Sequence, residues 1–207
     1  EDALRRFPFF YTFSLSPRSS RLYNTRIKNA SKREDSSMTG NKNLVLIGMP
    51  GSGKSTVGVL CAKALGMPFL DTDLAIQQKT GKLLQKSVDE LGAEGFLAME
   101  EQVIISLDCE NTVLATGGSV ALEDNAMAHL RERGVVFYLS LPYKEIERRL
   151  RNIATRGIAM GPGESLKTLY DYRVPHYEKW ADVVIEGCGQ TLEETVQAVV
   201  SAWRAMN

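Results

Sequence analysis

A glycine-rich run in the first third of the chain is the first feature that could carry chemistry. Residues 48–55 read Gly-Met-Pro-Gly-Ser-Gly-Lys-Ser and match the pattern G-x-x-x-x-G-K-[ST] at every position. Such a loop lets backbone amides turn inward around phosphate groups, and the helix that follows adds the positive end of its dipole. We therefore expect Gly51, Ser52, Gly53 and Thr56 to line a nucleotide-phosphate site.

The two polar residues that close this loop have separate expected roles. Lys54 carries a charge that can reach the β- and γ-phosphates of ATP, and the Ser55 hydroxyl is a ligand for Mg²⁺. The alternative is a glycine-rich turn with a chance Lys-Ser pair. The loop alone does not distinguish a kinase from a motor protein, a switch or a transporter, but a chain of 207 residues favours a small-metabolite or nucleotide kinase.

A pair of carboxylates follows the second apolar run. Asp71 and Asp73 flank Thr72 directly after Leu70. Carboxylates in this position can complete a Mg²⁺ shell and orient the hydroxyl that attacks a phosphoryl group. Because Asp is also a preferred helix N-cap, either residue can have that structural role as well.

The elements that must position these groups alternate along the chain from Asn43 onward. Strands are predicted at 44–47, 68–70, 112–115, 135–139 and 183–185. Helices are predicted at 55–65, about 74–108 with breaks near Gly81 and Gly92, 125–133, 143–151, 165–177 with an interruption at Pro175, and 192–206. Apolar strands that are each followed by a helix predict an α/β fold, with three α/β/α layers around a central parallel sheet. Ligands of such folds bind beyond the carboxyl ends of the strands.

Charge, hydropathy and cysteine content exclude several classes of protein. The chain has 25 Lys and Arg and 25 Asp and Glu, so its net charge gives no argument for binding nucleic acid or an anionic membrane. Apolar runs such as 135–139 are too short to cross a bilayer. Cys61, Cys109 and Cys188 are widely spaced, and we expect buried thiols in a reducing compartment, with neither disulfides nor a cysteine metal site.

Residues 1–37 differ from the rest of the chain. They contain eight basic and four acidic residues, and no acidic residue lies between Ala3 and Arg33. An Arg- and Ser-rich segment of this kind can be an organelle transit peptide. The alternative, which we favour, is an upstream extension of a protein that starts at Met38. In either case we expect no fixed structure in 1–37 and one P-loop kinase domain over 38–207.

Six blocks of sequence follow one another along the body of the chain. The blocks are GMPGSGKSTVG at 48–58, DTDLAIQQKTGK at 71–82, GFLAMEEQVI at 95–104, ATGGSV at 115–120, ERRLRNIATRG at 147–157 and LYDYRVPHYEKWAD at 169–182. With these blocks in this order, the chain resembles the shikimate kinases from about Asn43 to Trp203. The resemblance implies a kinase that uses ATP and Mg²⁺ to phosphorylate a hydroxyl of a small metabolite. Shikimate, converted to shikimate 3-phosphate, is the first candidate acceptor.

The resemblance also implies roles for residues on the acceptor side. Asp71 would belong to the Mg²⁺ shell, and Asp73 would orient the attacking hydroxyl. Gly117 and Gly118 would bring backbone amides to the acceptor.

Three arginines complete the set that the resemblance implies. Arg149 would stack on adenine, and Arg156 would stabilise charge on the transferring phosphoryl group. Arg173 would bind the carboxylate of the substrate. For each of them the alternative is an ordinary solvated charge on a helix.

The chain departs from the family pattern at three positions. Leu97 stands where the family has an arginine that is a second clamp on the shikimate carboxylate, Ser119 replaces a third glycine, and Gly157 replaces the proline of the lid. Loss of one charge-assisted hydrogen bond would weaken binding by about tenfold to a hundredfold. Lys82 or Arg151 could compensate, although the sequence does not place them. The nucleotide half of the site is therefore expected intact and the acceptor half altered.

These departures leave alternatives to shikimate open. The acceptor could be another small hydroxy acid, a polyol or an amino-alcohol, or the chain could be a kinase-derived protein that binds ATP without transfer. Retention of Lys54, Ser55, Asp71, Asp73 and Arg156 is an argument against the last reading. We expect a monomer that binds small molecules and neither nucleic acid nor membranes. Its expected location is the cytoplasm, or a plastid if the leader is a transit peptide.

Overall fold

The structure is a computed structural model that describes residues 25–27, 42–150 and 165–206. The strands are β1 (Thr25–Ile27), β2 (Asn43–Ile47), β3 (Phe69–Asp71), β4 (Val113–Ala115), β5 (Gly134–Ser140) and β6 (Val183–Glu186). The helices are α1 (Lys54–Leu65), α2 (Thr72–Thr80), α3 (Leu84–Ile105), α4 (Asp124–Arg133), α5 (Tyr143–Leu150), α6 (Leu166–Trp180) and α7 (Leu192–Arg204). A short 3₁₀ turn covers Val120–Leu122.

The strands form one sheet in the order β1-β6-β5-β2-β4-β3. The five strands from β2 to β6 are parallel to one another, as the sequence predicts. Residue 71 at the end of β3 is in register with residue 115 at the end of β4, which brings the loops after these strands side by side. The same edge carries the loop after β2, so the predicted site residues on these loops are neighbours.

The strand β1 is an addition to the parallel sheet that the sequence did not predict. It pairs antiparallel with β6, and Arg26 forms a 2.8 Å ion pair with Glu186. The expectation of no fixed structure within 1–37 is therefore wrong for Thr25–Ile27. The backbone amides and carbonyls along the edge of β6 form the hydrogen bonds that Thr25–Ile27 cannot form within their own segment. The proposed domain boundary at residue 38 stays a prediction.

Two layers of helices cover the sheet, and the central strand β2 shows both. Val45 and Ile47 pack on the side of α3, α4 and α6, whereas Leu44 and Leu46 pack on the side of α1 and α7. All four side chains are fully buried, and each contributes about 1.5–3 kcal/mol relative to an exposed position. Within the part of the chain that the structure describes, every helix is too short or too polar to span a lipid bilayer.

The helical half of the chain follows the predicted breaks with one exception. Gly81 ends α2 with a φ of 67°, and Gly92 interrupts α3 with a φ of 71°. Pro175 was expected to interrupt α6, but the helix continues through it to Trp180. Because Pro175 is exposed, the hydrogen bond that proline removes is lost on the solvent side.

The cysteines do not all lie in the core. Cys61 is buried, and burial raises the pKa of its thiol to about 12. Cys109 is half-buried and Cys188, in the loop after β6, is exposed, so the expectation of three buried cysteines is wrong for Cys188. All three are free thiols in this structure, and none is part of a disulfide.

Candidate active site

The phosphate loop joins the end of β2 to the start of α1 in a conformation that depends on its glycines. Gly53 is the N-cap of α1 with a φ of 100°, a left-handed conformation that glycine adopts without strain. At Gly48 a Cβ atom would lie 2.8 Å from the backbone oxygen of Leu139, so no side chain fits there. No side chain caps α1, and its first amides remain available to an anion.

Lys54 is held inside this loop. Its side chain is largely buried, and Nζ donates hydrogen bonds to the backbone oxygens of Gly48 at 2.7 Å and Met49 at 3.0 Å. The ammonium group therefore lies where the loop curves around a phosphate. Ser55 follows it with an exposed side chain in the first turn of α1.

A cavity of about 240 Å³ lies beside the loop, on the side of α5 and α7. Its lining includes four of the predicted nucleotide-binding residues, which are Ser52, Gly53, Thr56 and Arg149. The Arg149 guanidinium lies 3.4 Å from the backbone oxygen of Gly51 and 3.3 Å from that of Ser52. The guanidinium group therefore lies beside the phosphate loop, where the nucleotide is expected to bind.

Glu145 fixes the orientation of Arg149. The Nε atom of Arg149 donates to Glu145 Oε1 at 2.7 Å, one helical turn earlier on α5. Hydrogen bonds from Arg148 and Arg149 lower the pKa of the Glu145 carboxyl to about 2, so this group stays ionised at neutral pH.

The two predicted carboxylates occupy different positions. Asp71 is the N-cap of α2, and its Oδ1 accepts a 3.0 Å hydrogen bond from the backbone amide of Asp73. Asp73 lies next to Gly117, and its Oδ1 is 2.9 Å from the position that a Cβ atom of Gly117 would take. Asp71 thus has the structural role that was one of its two alternatives, and its place in a Mg²⁺ shell stays a prediction.

A second cavity, of about 60 Å³, joins the phosphate loop to the acceptor residues. Its lining is Pro50, Gly51, Gly53, Lys54, Ser55, Asp73, Leu84, Phe96, Glu100, Thr116, Gly117, Gly118 and Ser119. The two glycines are tied into the structure by side chains, since the Gly117 amide donates to Thr72 Oγ1 at 3.1 Å and the Gly118 carbonyl accepts from the Tyr177 hydroxyl. The Gly117 amide is therefore engaged by Thr72 instead of facing the acceptor.

Glu100 is a charged site residue to which the sequence analysis gave no role. It has no exposed surface, and its Oε2 accepts a 2.5 Å hydrogen bond from the Ser119 hydroxyl. Burial is the main cause that raises the pKa of the Glu100 carboxyl to about 7, while the Ser119 hydrogen bond lowers it and the Asp73 charge raises it. Its position on α3 was a usable signal, because Phe96 and Ile104, four residues to either side, are buried apolar side chains.

Arg173, Leu97 and Lys82 lie outside the linings of these two cavities. Arg173 is 3% exposed on α6, close enough to Glu100 for its charge to act on that carboxyl. Leu97 is half-buried on α3, and Lys82 pairs with Glu90 on the surface. Residues 151–164 lie outside the described residues, and they include the predicted positions Arg151, Arg156 and Gly157.

The residues around the phosphate loop fit Mg²⁺. Among the residues in 25–27, 42–150 and 165–206, no group of three or more His, Cys, Asp or Glu side chains could hold a metal ion by itself. Mg²⁺ in kinases is held by one or two protein oxygens together with nucleotide phosphates and water. The exposed Ser55 hydroxyl beside Lys54 would supply one such oxygen, and Asp71, the N-cap of α2, is the predicted second.

Most of the chain is similar in sequence to proteins of one known family. The Shikimate kinase family model matches residues 50–204. The shikimate kinase of Thermodesulfovibrio yellowstonii is 36% identical over 169 residues, which are 80% of this chain and 97% of that protein. Human Threonine synthase-like 1 is 32% identical over 169 residues, but this chain spans 23% of its length.

A solved structure shows the same fold. Shikimate kinase from Acinetobacter baumannii in complex with shikimate has a TM-score of 0.69 and 30% sequence identity, and the match covers 79% of this chain and 93% of that chain. The family-model match at 50–204 contains the residues that line the acceptor cavity and the phosphate loop from Pro50 onward. The chain therefore belongs to the shikimate kinase family, whose members are ATP-dependent kinases.

Proposed function

We propose that the chain transfers the γ-phosphoryl group of ATP to a hydroxyl of a small carboxylic acid, and that shikimate is the first candidate. The observation that carries this proposal is the shared cavity, which brings Lys54 and Ser55 of the phosphate loop together with Asp73 of the acceptor side. A γ-phosphoryl group and an acceptor hydroxyl bound there would be in direct contact. Positioning of this kind supplies most of the catalysis in phosphoryl transfer.

Each side chain has a defined task in this proposal. Lys54 and the loop amides hold the β- and γ-phosphates, and Mg²⁺ at Ser55 and Asp71 supplies charge neutralisation when bound. Asp73 accepts a hydrogen bond from the acceptor hydroxyl and aims it at the phosphoryl group. Arg156 balances the charge that develops in the transition state, and Arg149 packs against the adenine.

The choice of shikimate has support from the relatives and one contrary feature. The T. yellowstonii relative is named a shikimate kinase, and the A. baumannii neighbour was solved in complex with shikimate. Leu97 stands where that family usually has an arginine, and Ser119 stands where it usually has a glycine. The relatives also include Threonine synthase-like 1. Another small hydroxy acid, a polyol or an amino-alcohol is therefore the second candidate.

An assay of ADP release with the full chain tests the proposal. We expect MgATP and shikimate to give ADP and a phosphomonoester in equal amounts, and a panel of hydroxy acids, polyols and amino-alcohols gives the comparison. The Lys54→Ala variant gives the background rate of ADP release, because it removes the ammonium group that would contact the β- and γ-phosphates. Calorimetric binding of MgADP without ADP release on any acceptor would instead support a non-catalytic nucleotide-binding protein.

The expected assembly and location are part of the same proposal. We infer that a monomer carries the activity and that it acts in the cytoplasm. Sedimentation at concentrations that span the assay range, together with cell fractionation, tests the monomer and its cytoplasmic location.

A further inference from the structure

A buried carboxylate oxygen in the acceptor cavity has no assigned task. Glu100 lines the cavity and has no exposed surface, and its Oε1 has no hydrogen-bond partner among the residues that the structure describes. We propose that Glu100 selects the acceptor by accepting a hydrogen bond, through Oε1, from a second donor group that the acceptor carries besides its reacting hydroxyl. This inference rests on the proposed function and names a feature of its substrate, a hydroxyl or an ammonium group.

The position of Oε1 places it within reach of a bound acceptor. A Cβ atom at Gly117 would lie 2.3 Å from Glu100 Oε1 and 2.9 Å from Asp73 Oδ1. The two carboxylates therefore flank the same glycine, which has no side chain to separate either of them from the cavity. An acceptor whose reacting hydroxyl contacts Asp73 would place a neighbouring substituent beside Glu100.

Ser119 determines which oxygen of Glu100 is available. Its hydroxyl donates to Oε2 at 2.5 Å, so that oxygen is occupied and the carboxylate is held in one orientation. The related kinases usually have glycine at this position, which could not make this bond. Ser119 is therefore a positioning residue, and the Glu100–Ser119 pair is a feature of this chain's own acceptor site.

The charges around Glu100 restrict what can bind there. A buried oxygen without a partner is unfavourable, and a donor on the ligand relieves this cost through a charge-assisted hydrogen bond. A carboxylate on the acceptor would be repelled by Glu100 and Asp73. Leu97, three residues before Glu100 on α3, offers no positive charge to offset this repulsion, so the buried Arg173 of α6 is the cation that acts on Glu100. The acceptor's donor group therefore faces Glu100, and its own carboxylate faces Arg173.

Matched acceptors that differ by one donor test the proposal. One set is shikimate and its analogues that lack one of the two non-reacting ring hydroxyls. The other pair is homoserine and 4-hydroxybutyrate, which differ by one amino group. With the unmodified chain we expect kcat/KM to be about tenfold to a hundredfold higher for the donor-bearing member of the set that fits. The set that responds identifies the donor as a hydroxyl or an ammonium group.

Glu100→Gln should reduce this ratio towards one. The Ser119 hydroxyl can still bond the amide oxygen, and the amide nitrogen then faces the cavity as a donor. The matched control is Glu101→Gln, which makes the same change one residue further along α3 on a half-buried side chain outside the cavity lining, and should leave the ratio unchanged. An unchanged ratio in Glu100→Gln would overturn the proposal.

Two further measurements keep the test decisive. If Glu100→Gln does not fold, Ser119→Ala should also lower the ratio, and Ser119→Thr should restore it by returning the hydroxyl. If no acceptor is turned over, calorimetric binding of the same compounds in the presence of MgADP replaces kcat/KM. Equal binding of both members in every set overturns the role of Glu100, whereas selective binding without ADP release supports that role and contradicts the proposed phosphoryl transfer.

Discussion

Glu100 is a fully buried carboxyl group that lines the acceptor cavity. Its pKa in the folded chain is raised to about 7, chiefly by burial, so the folded chain binds a proton more tightly than the unfolded chain does. The stabilisation from this proton is fully present below the unfolded pKa and is lost as the pH rises through about 7.

This titration predicts a difference in unfolding between the chain and its Glu100→Gln variant. We expect the unmodified chain to lose free energy of unfolding relative to the variant between pH 5 and pH 8, because the amide does not ionise. Urea denaturation at the two pH values measures the difference, and Glu101→Gln is again the control. The same difference at both pH values would contradict the raised pKa.

Asp73 gives a second prediction for a single residue. Asp73→Asn should reduce kcat at least tenfold while the affinity for MgADP stays within about twofold, because an amide orients the acceptor hydroxyl less well than a carboxylate and does not contact the nucleotide. Steady-state kinetics and calorimetry measure the two effects. The control is Asp108→Asn, at an exposed residue paired with Arg133. A loss confined to nucleotide affinity would show that the role given to Asp73 is wrong.

The helix α3 places one departure from the family pattern, Leu97, beside Glu100. Leu97 and Glu100 are three residues apart, a spacing that places side chains next to each other on one helix face. An arginine in place of Leu97 could therefore reach the carboxylate of Glu100. Such a pair would neutralise the acid and leave guanidinium donors for a ligand carboxylate.

The prediction for Leu97→Arg follows from this spacing. If shikimate is the acceptor, its KM should fall by about tenfold, and the preference for acceptors with a second donor should decrease. Kinetics on shikimate and its deoxy analogues measure both effects. The matched control is Leu91→Arg, at an exposed leucine of the same helix. A higher KM for shikimate in Leu97→Arg would show that the unmodified pocket needs no second clamp.

At the scale of elements, the sequence predicts those strands, helices and loops that a local sequence pattern determines. The five parallel strands and their helices follow from apolar runs and glycine breaks, and the loop at 48–55 follows from its motif. The strand β1 does not, because Thr25–Ile27 becomes a strand only by pairing with β6 far along the chain. The prediction that Pro175 interrupts α6 was wrong for a related reason. A proline is tolerated at this position because it is exposed, and its exposure depends on tertiary packing.

The acceptor site was harder to predict than the nucleotide site. A phosphate loop is continuous in sequence, whereas Asp73, Glu100 and Gly117 come from three segments that packing brings together. The sequence could have indicated Glu100, because it is an acidic residue on an otherwise apolar helix face. It could not indicate its partner Ser119, because a serine after two glycines is also an ordinary turn residue.

At the scale of the whole molecule, β1 makes removal of the leader a test of the fold. Deletion of residues 1–37 removes β1 and should lower Tm by a few degrees, as expected for a loss of about 1 kcal/mol in a chain of this size. The exposed Arg26–Glu186 ion pair contributes little to this value. The matched control is deletion of residues 1–24, which retains β1 and should leave Tm unchanged. Scanning calorimetry measures both, and equal Tm values for the two deletions would show that β1 does not stabilise the fold.

The lengths of the strands have a consequence for how copies of the molecule meet. The central strands β2 and β5 have five and seven residues, whereas the described strands at the two edges, β1 and β3, have three each. A short edge offers few unpaired amides and carbonyls to a neighbouring chain, which discourages sheet-to-sheet aggregation. Deletion of residues 1–37 would expose the four-residue strand β6 as a new edge. Light scattering at rising concentration should therefore detect self-association in that deletion before it does so in the full chain.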